Sequence, residues 1–410
     1  MRIVFITDNF PPEVNAPASR TYEHAREWVR AGHTVQVITC APNFPFGTPY
    51  PGYRNALYTR ERLDGIDVLR VWSYMTRNEG FWLRSLDFLS FMITSVLGSL
   101  FVARADVVIA TSPQFFAGVA GYLVARLTRA PFVLEVRDLW PDQIVANQVM
   151  ASNPAIRLLR GVARFLYDHA DAVVTVGEGY EERIRALYGV RRPIDVIPNG
   201  VIASVFQRSG ARDAVRDAHG WAGRFVVLYL GTHGLSQKLE TVVEAAALLE
   251  RDERFHFVFV GDGAAREQIA QQVRAKGLSH VELLGQRPKA EVPDLYEAAD
   301  CCVVPLKRSA LYAGNYPSKM FEAMAMACPI VLSVEGIAAD LLRRADAGLA
   351  VPAESPQDLA DAIRRLVDDP ERALQMGRNG RAFVCEHFSR ERWAARLLAV
   401  LERVRRSHGG

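Results

Sequence analysis

Short, continuously apolar runs recur between amphipathic stretches along this chain, and that alternation constrains its fold more than any other feature. The first set of runs is Ile3–Thr7, Thr34–Thr39, Val107–Thr111, Phe132–Val136 and Ala172–Val176. Between them lie stretches such as Arg20–Ala31 and Pro113–Leu127, whose apolar residues fall at helical spacing. A strand that is apolar at every position is buried on both faces. Such strands alternating with helices therefore predict a parallel sheet covered on each side. The pattern restarts after the loop Asp195–Ser209, with a linker near Pro198–Gly210. Strand Phe225–Leu230 is followed by helix Leu239–Glu250, strand His256–Val260, the turn Gly261-Asp262-Gly263 and helix Ala265–Lys276. Strands Val281–Leu284, Cys302–Pro305 and Pro329–Leu332 continue it. The expectation is an α/β protein of two doubly wound units, over 1–203 and 204–385. The tail 386–410 carries one more amphipathic helix, Arg390–Arg406, packing back on the first unit. Two such units facing each other form a cleft, and ligands of open parallel sheets sit beyond the carboxyl ends of the strands. Loops that follow strands are where chemistry is expected.

Composition narrows the function. Of 410 residues, 50% are apolar and 23% charged, which is globular and excludes wholesale disorder. A polytopic membrane protein is excluded by the want of long uncharged runs. Net charge is +3, from 49 Lys+Arg against 46 Asp+Glu, too even for a nucleic-acid-binding face. The five cysteines form no C-x-x-C and sit mostly in apolar runs, which points to a reducing compartment. Met1–Ile6 is a strand followed at once by Asp8, without the apolar region and cleavage site of a secretory signal. A cytoplasmic protein is the expectation.

The densest signal is Gly314-Asn315-Tyr316-Pro317-Ser318-Lys319-Met320-Phe321-Glu322. Pro317 suits the first turn of a helix, where its missing N–H is not needed. The N–H groups of Ser318, Lys319 and Met320 would then be free to hold an anion. A cation at a helix amino end is disfavoured by roughly 0.3–1 kcal/mol. Lys319 makes sense there if a phosphate sits in front of it. Glu322 lies on the same face as Ser318, about 6 Å along the axis. That is near the offset between a nucleotide's phosphates and its ribose, and a carboxylate suits a ribose diol. The bland alternative is a solvated Lys319–Glu322 pair on an exposed helix end.

Other strand-end loops offer weaker signals. Gly231-Thr232-His233-Gly234 allows close backbone approach to a ligand, with His233 and Lys238 as donors to a diphosphate. Their bland readings are a helix-cap histidine and a surface lysine. Gly261-Asp262-Gly263 would let a nucleoside approach the backbone at Gly263. Pro11-Pro12-Glu13-Val14-Asn15 has the position of a phosphate cradle without its glycines, and Asn15 is the candidate there. Arg137-Asp138-Leu139-Trp140-Pro141-Asp142 puts charged and aromatic residues at a strand's carboxyl end, where a site is expected. The alternative is a buried Arg137–Asp138 structural pair. D-x-D, G-x-S-x-G, Walker A and H-E-x-x-H are all missing from the sequence.

Taken in order, Pro11-Pro12-Glu13, Ile197-Pro198-Asn199-Gly200-Val201, Val260-Gly261-Asp262-Gly263, Ala299-Asp300 with Pro305, Glu322-Ala323-Met324-Ala325 with Pro329, and Phe388-Ser389 resemble a retaining glycosyltransferase of family 4. The resemblance spans nearly the whole chain. It implies the GT-B fold, two Rossmann-like domains facing a cleft. Pro317-Ser318-Lys319 and Arg137-Asp138-Leu139-Trp140-Pro141 look like the bacterial subgroup that builds surface polysaccharides, including amino-sugar and fucosyl-type transferases. The family implies a nucleotide-sugar donor, UDP-linked, on the C-terminal domain. The acceptor, a polyprenyl-diphosphate-linked saccharide, would lie on the N-terminal one. The family's E-x7-E is met at its second position, Glu322, which would bind the ribose, while its first falls on Gly314. Asn315 or Tyr316 would then recognise the sugar. The family's diphosphate-binding Arg falls near His233, its partner Lys near Lys238, and its N-domain His on Arg137. The implied catalytic set is Lys319, His233, Arg137 and Asp138. The donor set is Glu322, Ser318, Asn315, Tyr316, Lys238, Thr232, Gly263, Arg287 and Asn15. No metal and no cofactor beyond the donor is called for, since helix dipoles and Lys319 would neutralise the diphosphate.

Phe81-Trp82-Leu83 opens an apolar stretch running to Ala103, interrupted by Arg84 and Asp87. Its uncharged part, Phe88–Ala103, falls short of the roughly 20 residues needed to span a bilayer. It suits a membrane surface, with Trp82 at the interface and Arg77 and Arg84 near headgroups, or else a buried helix. The protein would then sit peripherally on the inner face of the cytoplasmic membrane. Two competing functions share the pattern: a non-hydrolysing UDP-sugar 2-epimerase, and a catalytically silent sugar-nucleotide-binding subunit.

Overall fold

The computed structural model describes residues 1–76, 81–112, 115–143 and 154–408, with the side chains of 81 and 82 excepted. The chain divides into two compact units, Met1–Pro198 with Arg390–Gly410, and Asn199–Ser389. Against the boundaries expected at 203 and 385, the cuts fall at 198 and 389. Val201 explains the difference, since it pairs with Ser389 and its N–H donates to Phe388 O at 2.9 Å.

In the first unit the strands are β1 (Arg2–Ile6), β2 (Thr34–Cys40), β3 (Tyr58–Leu63), β4 (Ile66–Val71), β5 (Val107–Thr111), β6 (Phe132–Val136), β7 (Ala172–Thr175) and β8 (Ile194–Val196). They make one sheet in the order β3-β4-β2-β1-β5-β6-β7-β8, parallel except for β3, which runs antiparallel to β4. Asp64 and Gly65 turn that hairpin, both with positive φ, as a two-residue loop between strands requires. The helices are α1 (Ala16–Arg30), α2 (Phe81–Gly98), α3 (Phe115–Thr128), α4 (Pro154–His169) and α5 (Glu178–Tyr188). Pro113, expected to open α3, lies outside the described residues.

The second unit runs α6 (Arg212–His219), β9 (Phe225–Leu230), α7 (Glu240–Leu248), β10 (Phe255–Val260), α8 (Arg266–Ala275), β11 (Val281–Leu284), α9 (Val292–Ala298), β12 (Cys301–Pro305), α10 (Ser318–Ala325), β13 (Ile330–Ser333), α11 (Ile337–Ala345), β14 (Gly348–Val351), α12 (Pro356–Asp368) and α13 (Pro370–His387). Its sheet, β11-β10-β9-β12-β13-β14, is parallel throughout. The core includes Val227, Phe257, Val303 and Val331 from the sheet, packed with Val242, Ile269 and Ile363 from helices.

The last helix, α14 (Arg390–His408), returns to the first unit. Leu397, Val400, Leu401 and Val404 join the core formed by Phe5, Trp28, Val37 and Ile109. Trp28 Nε1 donates to Ala394 O at 2.9 Å, and Arg390 pairs with Glu23 at 3.3 Å.

Helix α2 departs from the buried alternative. Leu83, Leu86, Leu89, Ile93 and Leu97 are exposed along one stripe, while Phe91 and Ser95 are buried. The stretch Leu83–Phe101 is long and apolar enough to cross a membrane by length and composition, 19 residues with mean hydropathy 1.3, and 22% of it is buried. It exceeds the uncharged run because the helix extends back through Asp87 and Arg84. Tyr58 stacks on Phe101 at 5.3 Å, extending the apolar stripe onto β3. Arg77 and the Trp82 side chain lie outside the described residues.

Candidate functional site

Two loops at the carboxyl ends of β9 and β10 interlock in the second unit. Gly231 N–H donates to Val260 O at 2.9 Å and His233 N–H to Asp262 O at 2.8 Å, while Ala265 N–H donates to His233 O at 2.8 Å. The approach is so close that only glycine fits. Gly261 has φ of +136°, and a Cβ there would lie 2.0 Å from Gly231 O. Gly263 has φ of +152°, and its Cβ would lie 2.6 Å from His233 O.

Above this platform stands Lys319, one residue into α10. Pro317 is the residue before the helix rather than part of its first turn, and its carbonyl accepts from Met320 N–H at 3.1 Å. The free donors expected at this end are therefore those of Ser318 and Lys319, without Met320. Lys319 Nζ donates to the Tyr229 hydroxyl at 2.8 Å and lies 4.1 Å from the centre of its ring. A side chain on Gly231 would meet Nζ at 2.9 Å. Among the described residues no carboxylate lies within ion-pair distance of this ammonium. Burial pushes its pKa down to about 8, against the pull of Cys302 and Glu322. It is a cation held over glycine backbone at a helix amino end, with an aromatic ring behind it. Glu322, one turn on, accepts from the Tyr296 hydroxyl at 3.3 Å, which fixes one of its oxygens.

Several predicted residues fall elsewhere. His233 is fully buried between Tyr229, 5.7 Å away, and Phe259, 6.4 Å away. Burial pushes its pKa down to about 4, with Lys319 next to it adding to the effect. The expected charged contact to a diphosphate is therefore corrected: the imidazole is neutral and enclosed, and the main chain of His233 is what shapes the loop. Tyr316 is 5% exposed and packs against Phe321 and Phe388, so its ring is core and has no free face for a sugar. Asn315 is half-buried at the mouth of α10, its Oδ1 enclosed without a partner. Lys238 is left-handed, 38% exposed and 4.0 Å from Glu240. Arg287 is 4.0 Å from Glu291. Both are surface pairs. Thr232 is exposed on the loop, and its carbonyl accepts from Tyr229.

Asn15, Arg137 and Asp138 belong to the first unit. Asn15 caps α1 by accepting from Ala18 N–H at 2.9 Å, and its amide donates to Asn9. Both ends of the side chain are committed to the fold, which corrects the cradle reading. Arg137 and Asp138 follow β6. The Arg137 N–H donates to Ser112 Oγ at 2.9 Å, and burial lowers the guanidinium to about 10. Asp138 is raised to about 6 by burial and accepts from Gln143.

Sequence reasoning missed Tyr229, which positions Lys319, and the buried pair Arg20–Glu135 at 2.9 Å. Glu135 carried a signal. It is the one charge inside the apolar run Phe132–Val136, and a carboxylate buried there needs a cation.

Comparison with known proteins fits this architecture. The family described as "Glycosyl transferase 4-like domain" matches residues 15–200, and "Glycosyl transferases group 1" matches 211–383. WcaI of Escherichia coli (strain K12), named as a colanic acid biosynthesis glycosyl transferase, is 27% identical over 82% of this chain and 84% of its own. Sucrose-phosphate synthase from Thermosynechococcus elongatus superposes with a TM-score of 0.80 at 21% identity, covering 98% of this chain and 99% of that one. Anabaena HepE in complex with UDP-glucose gives 0.74 at 18% identity, with 98% and 99% covered. A two-unit parallel α/β fold, a cationic helix end over a glycine platform, and family matches to both units lead to one conclusion: the chain belongs to the family 4 glycosyltransferases of GT-B fold.

Proposed function

We propose that this glycosyltransferase moves a sugar from a UDP-linked donor to a lipid-linked saccharide in the assembly of a surface polysaccharide, with retention of configuration and without a metal. The observation that carries the donor half is Lys319. An ammonium held half-buried at the amino end of α10, with no carboxylate within ion-pair distance among the described residues, suits a diphosphate. Glu322, one turn further and steadied by Tyr296, suits the ribose hydroxyls. The complex of Anabaena HepE with UDP-glucose supports the choice of nucleotide. The name of WcaI supports the polysaccharide context.

In this reading the bond from the anomeric carbon to the donor diphosphate breaks as the acceptor hydroxyl attacks on the same face. The departing diphosphate oxygen takes the hydroxyl's proton, so no side chain serves as base. Lys319 and the N–H groups of Ser318 and Lys319 stabilise the charge that develops on the leaving group. The exposed stripe of α2, with Leu100 and Phe101 beyond it, supports a place on the inner face of the cytoplasmic membrane, where a lipid-linked acceptor resides.

A thermal-shift screen over nucleotides and nucleotide sugars tests the reading. UDP and one UDP-sugar should raise Tm, while GDP-sugars leave it unchanged. Stabilisation by GDP-linked donors alone would sink the UDP assignment. Incubation with the stabilising sugar nucleotide alone should leave it intact, since 2-epimerisation needs no acceptor and transfer does.

A further inference from the structure

One buried cation is left unexplained by the donor site. Arg137 leaves β6 with 7% of its surface exposed. Its Nε and Nη1 are enclosed and have no hydrogen-bond partner among the described residues. The surrounding cations are already committed, and Glu135, the main countercharge to Arg137, makes no hydrogen bond to it among the described residues. Arg20 takes Glu135 at 2.9 Å and also donates to the carbonyls of Pro198 and Ile197, each at 2.9 Å. Arg390 takes Glu23 at 3.3 Å. Asp138, the next residue, accepts from Gln143 Nε2 at 3.2 Å and makes no ion pair with Arg137 among the described residues. His24 is fully buried with neither ring nitrogen bonded, and burial among Arg20, Arg390 and Arg137 holds it well below its usual range, so it is neutral.

A guanidinium out of water with two nitrogens unbonded is costly even beside the Glu135 and Asp138 carboxylates, because its hydration is lost and those donors go unused. Chains keep such a group where a ligand supplies the missing charge. A guanidinium is also the side chain whose fork matches two oxygens of one phosphate or carboxylate.

We propose that Arg137 is the receptor for an oxyanion carried by the acceptor, a phosphate or carboxylate group bound in the first unit. This rests on the glycosyl-transfer reading only for the molecule that brings the anion. The binding itself stands apart from it.

Full-length protein saturated with UDP is titrated calorimetrically with sodium pyrophosphate in one arm and glucuronate in the other. The wild type should bind one of them, and Arg137→Met should weaken that binding by about 10²-fold, as expected for truncating one partner of a buried charge pair. Its UDP affinity should not change. Pyrophosphate binding names a lipid diphosphate as the source, and glucuronate binding names an acidic sugar. Without added anion, Arg137→Met should melt at or above the wild-type Tm, because it removes a buried charge with unmet hydrogen-bond donors. A lowered Tm would make the arginine structural and overturn the proposal. So would binding of neither anion, equal binding by the variant, or a loss of UDP affinity, which would assign Arg137 to the donor. A wild type that binds no UDP removes the donor reading alone, and the same titrations without nucleotide still decide this one.

Discussion

At the scale of single residues, the proposed donor site turns on how one ammonium is kept. Burial holds Lys319 at about 8, so the free enzyme loses that charge within the mildly alkaline range. A diphosphate favours the protonated form. UDP affinity should therefore be flat near pH 7 and fall up to tenfold per unit above about pH 8, read by calorimetric titration. Lys319→Arg should abolish that alkaline limb, because a guanidinium keeps its charge. A wild-type affinity constant to pH 9.5 would remove Lys319 from the phosphate. Lys319→Ala and Glu322→Ala should each lower turnover by about 10²–10³-fold, the scale of one preorganised electrostatic contact. The place of both on α10 was legible in the sequence, since Pro317 marks where an otherwise apolar helix begins. Tyr229 was hidden, since a tyrosine in Phe225–Leu230 looks like any other strand residue. His233 was misread because flanking glycines announce a close approach without saying which way an imidazole turns. Here it turns inward, between two aromatic rings.

At the scale of elements, the glycine platform and α2 make the sharpest claims. Gly261→Ala puts a methyl group 2.0 Å from Gly231 O at a φ of +136°, so the β9 and β10 loops must part. The expected cost is several kcal/mol, with loss of the Tm rise on adding UDP. A variant that binds UDP like wild type would show that these loops do not form the floor of the site. The apolar stripe on α2 should carry the protein to the top of a sucrose gradient with anionic liposomes. Ile93→Glu should cut the bound fraction about tenfold, since it takes an exposed aliphatic group out of the stripe and adds a charge. Wild type staying wholly at the bottom would end the membrane reading. The sequence set the limits of β5, β6, β9 and β11 without error, because their apolar runs end where the sheet ends. It missed β3, whose Tyr58-Thr59-Arg60-Glu61-Arg62-Leu63 is polar because it is a half-exposed edge. Asp64-Gly65 was the available clue, a two-residue turn signature between two strands.

At the scale of the whole molecule, the first unit is built from two stretches of sequence, Met1–Pro198 and Arg390–Gly410, with the second unit between them. Ala394, Leu397, Val400, Leu401 and Val404 are buried on α14. At roughly 1.5–3 kcal/mol for each large aliphatic side chain, their loss rivals the net stability of an entire domain. Deleting residues 390–410 should therefore leave the first unit with a binding site for hydrophobic dyes and rapid proteolysis. A fragment of residues 199–389 should keep a cooperative thermal transition, because its core draws nothing from α14. Equal protease resistance of the truncated and intact first units would refute this.

The placement of α14 also fixes an order of events during synthesis. Trp28 and its neighbours leave the ribosome before the second unit is made, and the helix that covers them leaves only after it. Until α14 has emerged, the core around Trp28 stays open for chaperones to shield, so the first unit closes only after the second has been synthesised.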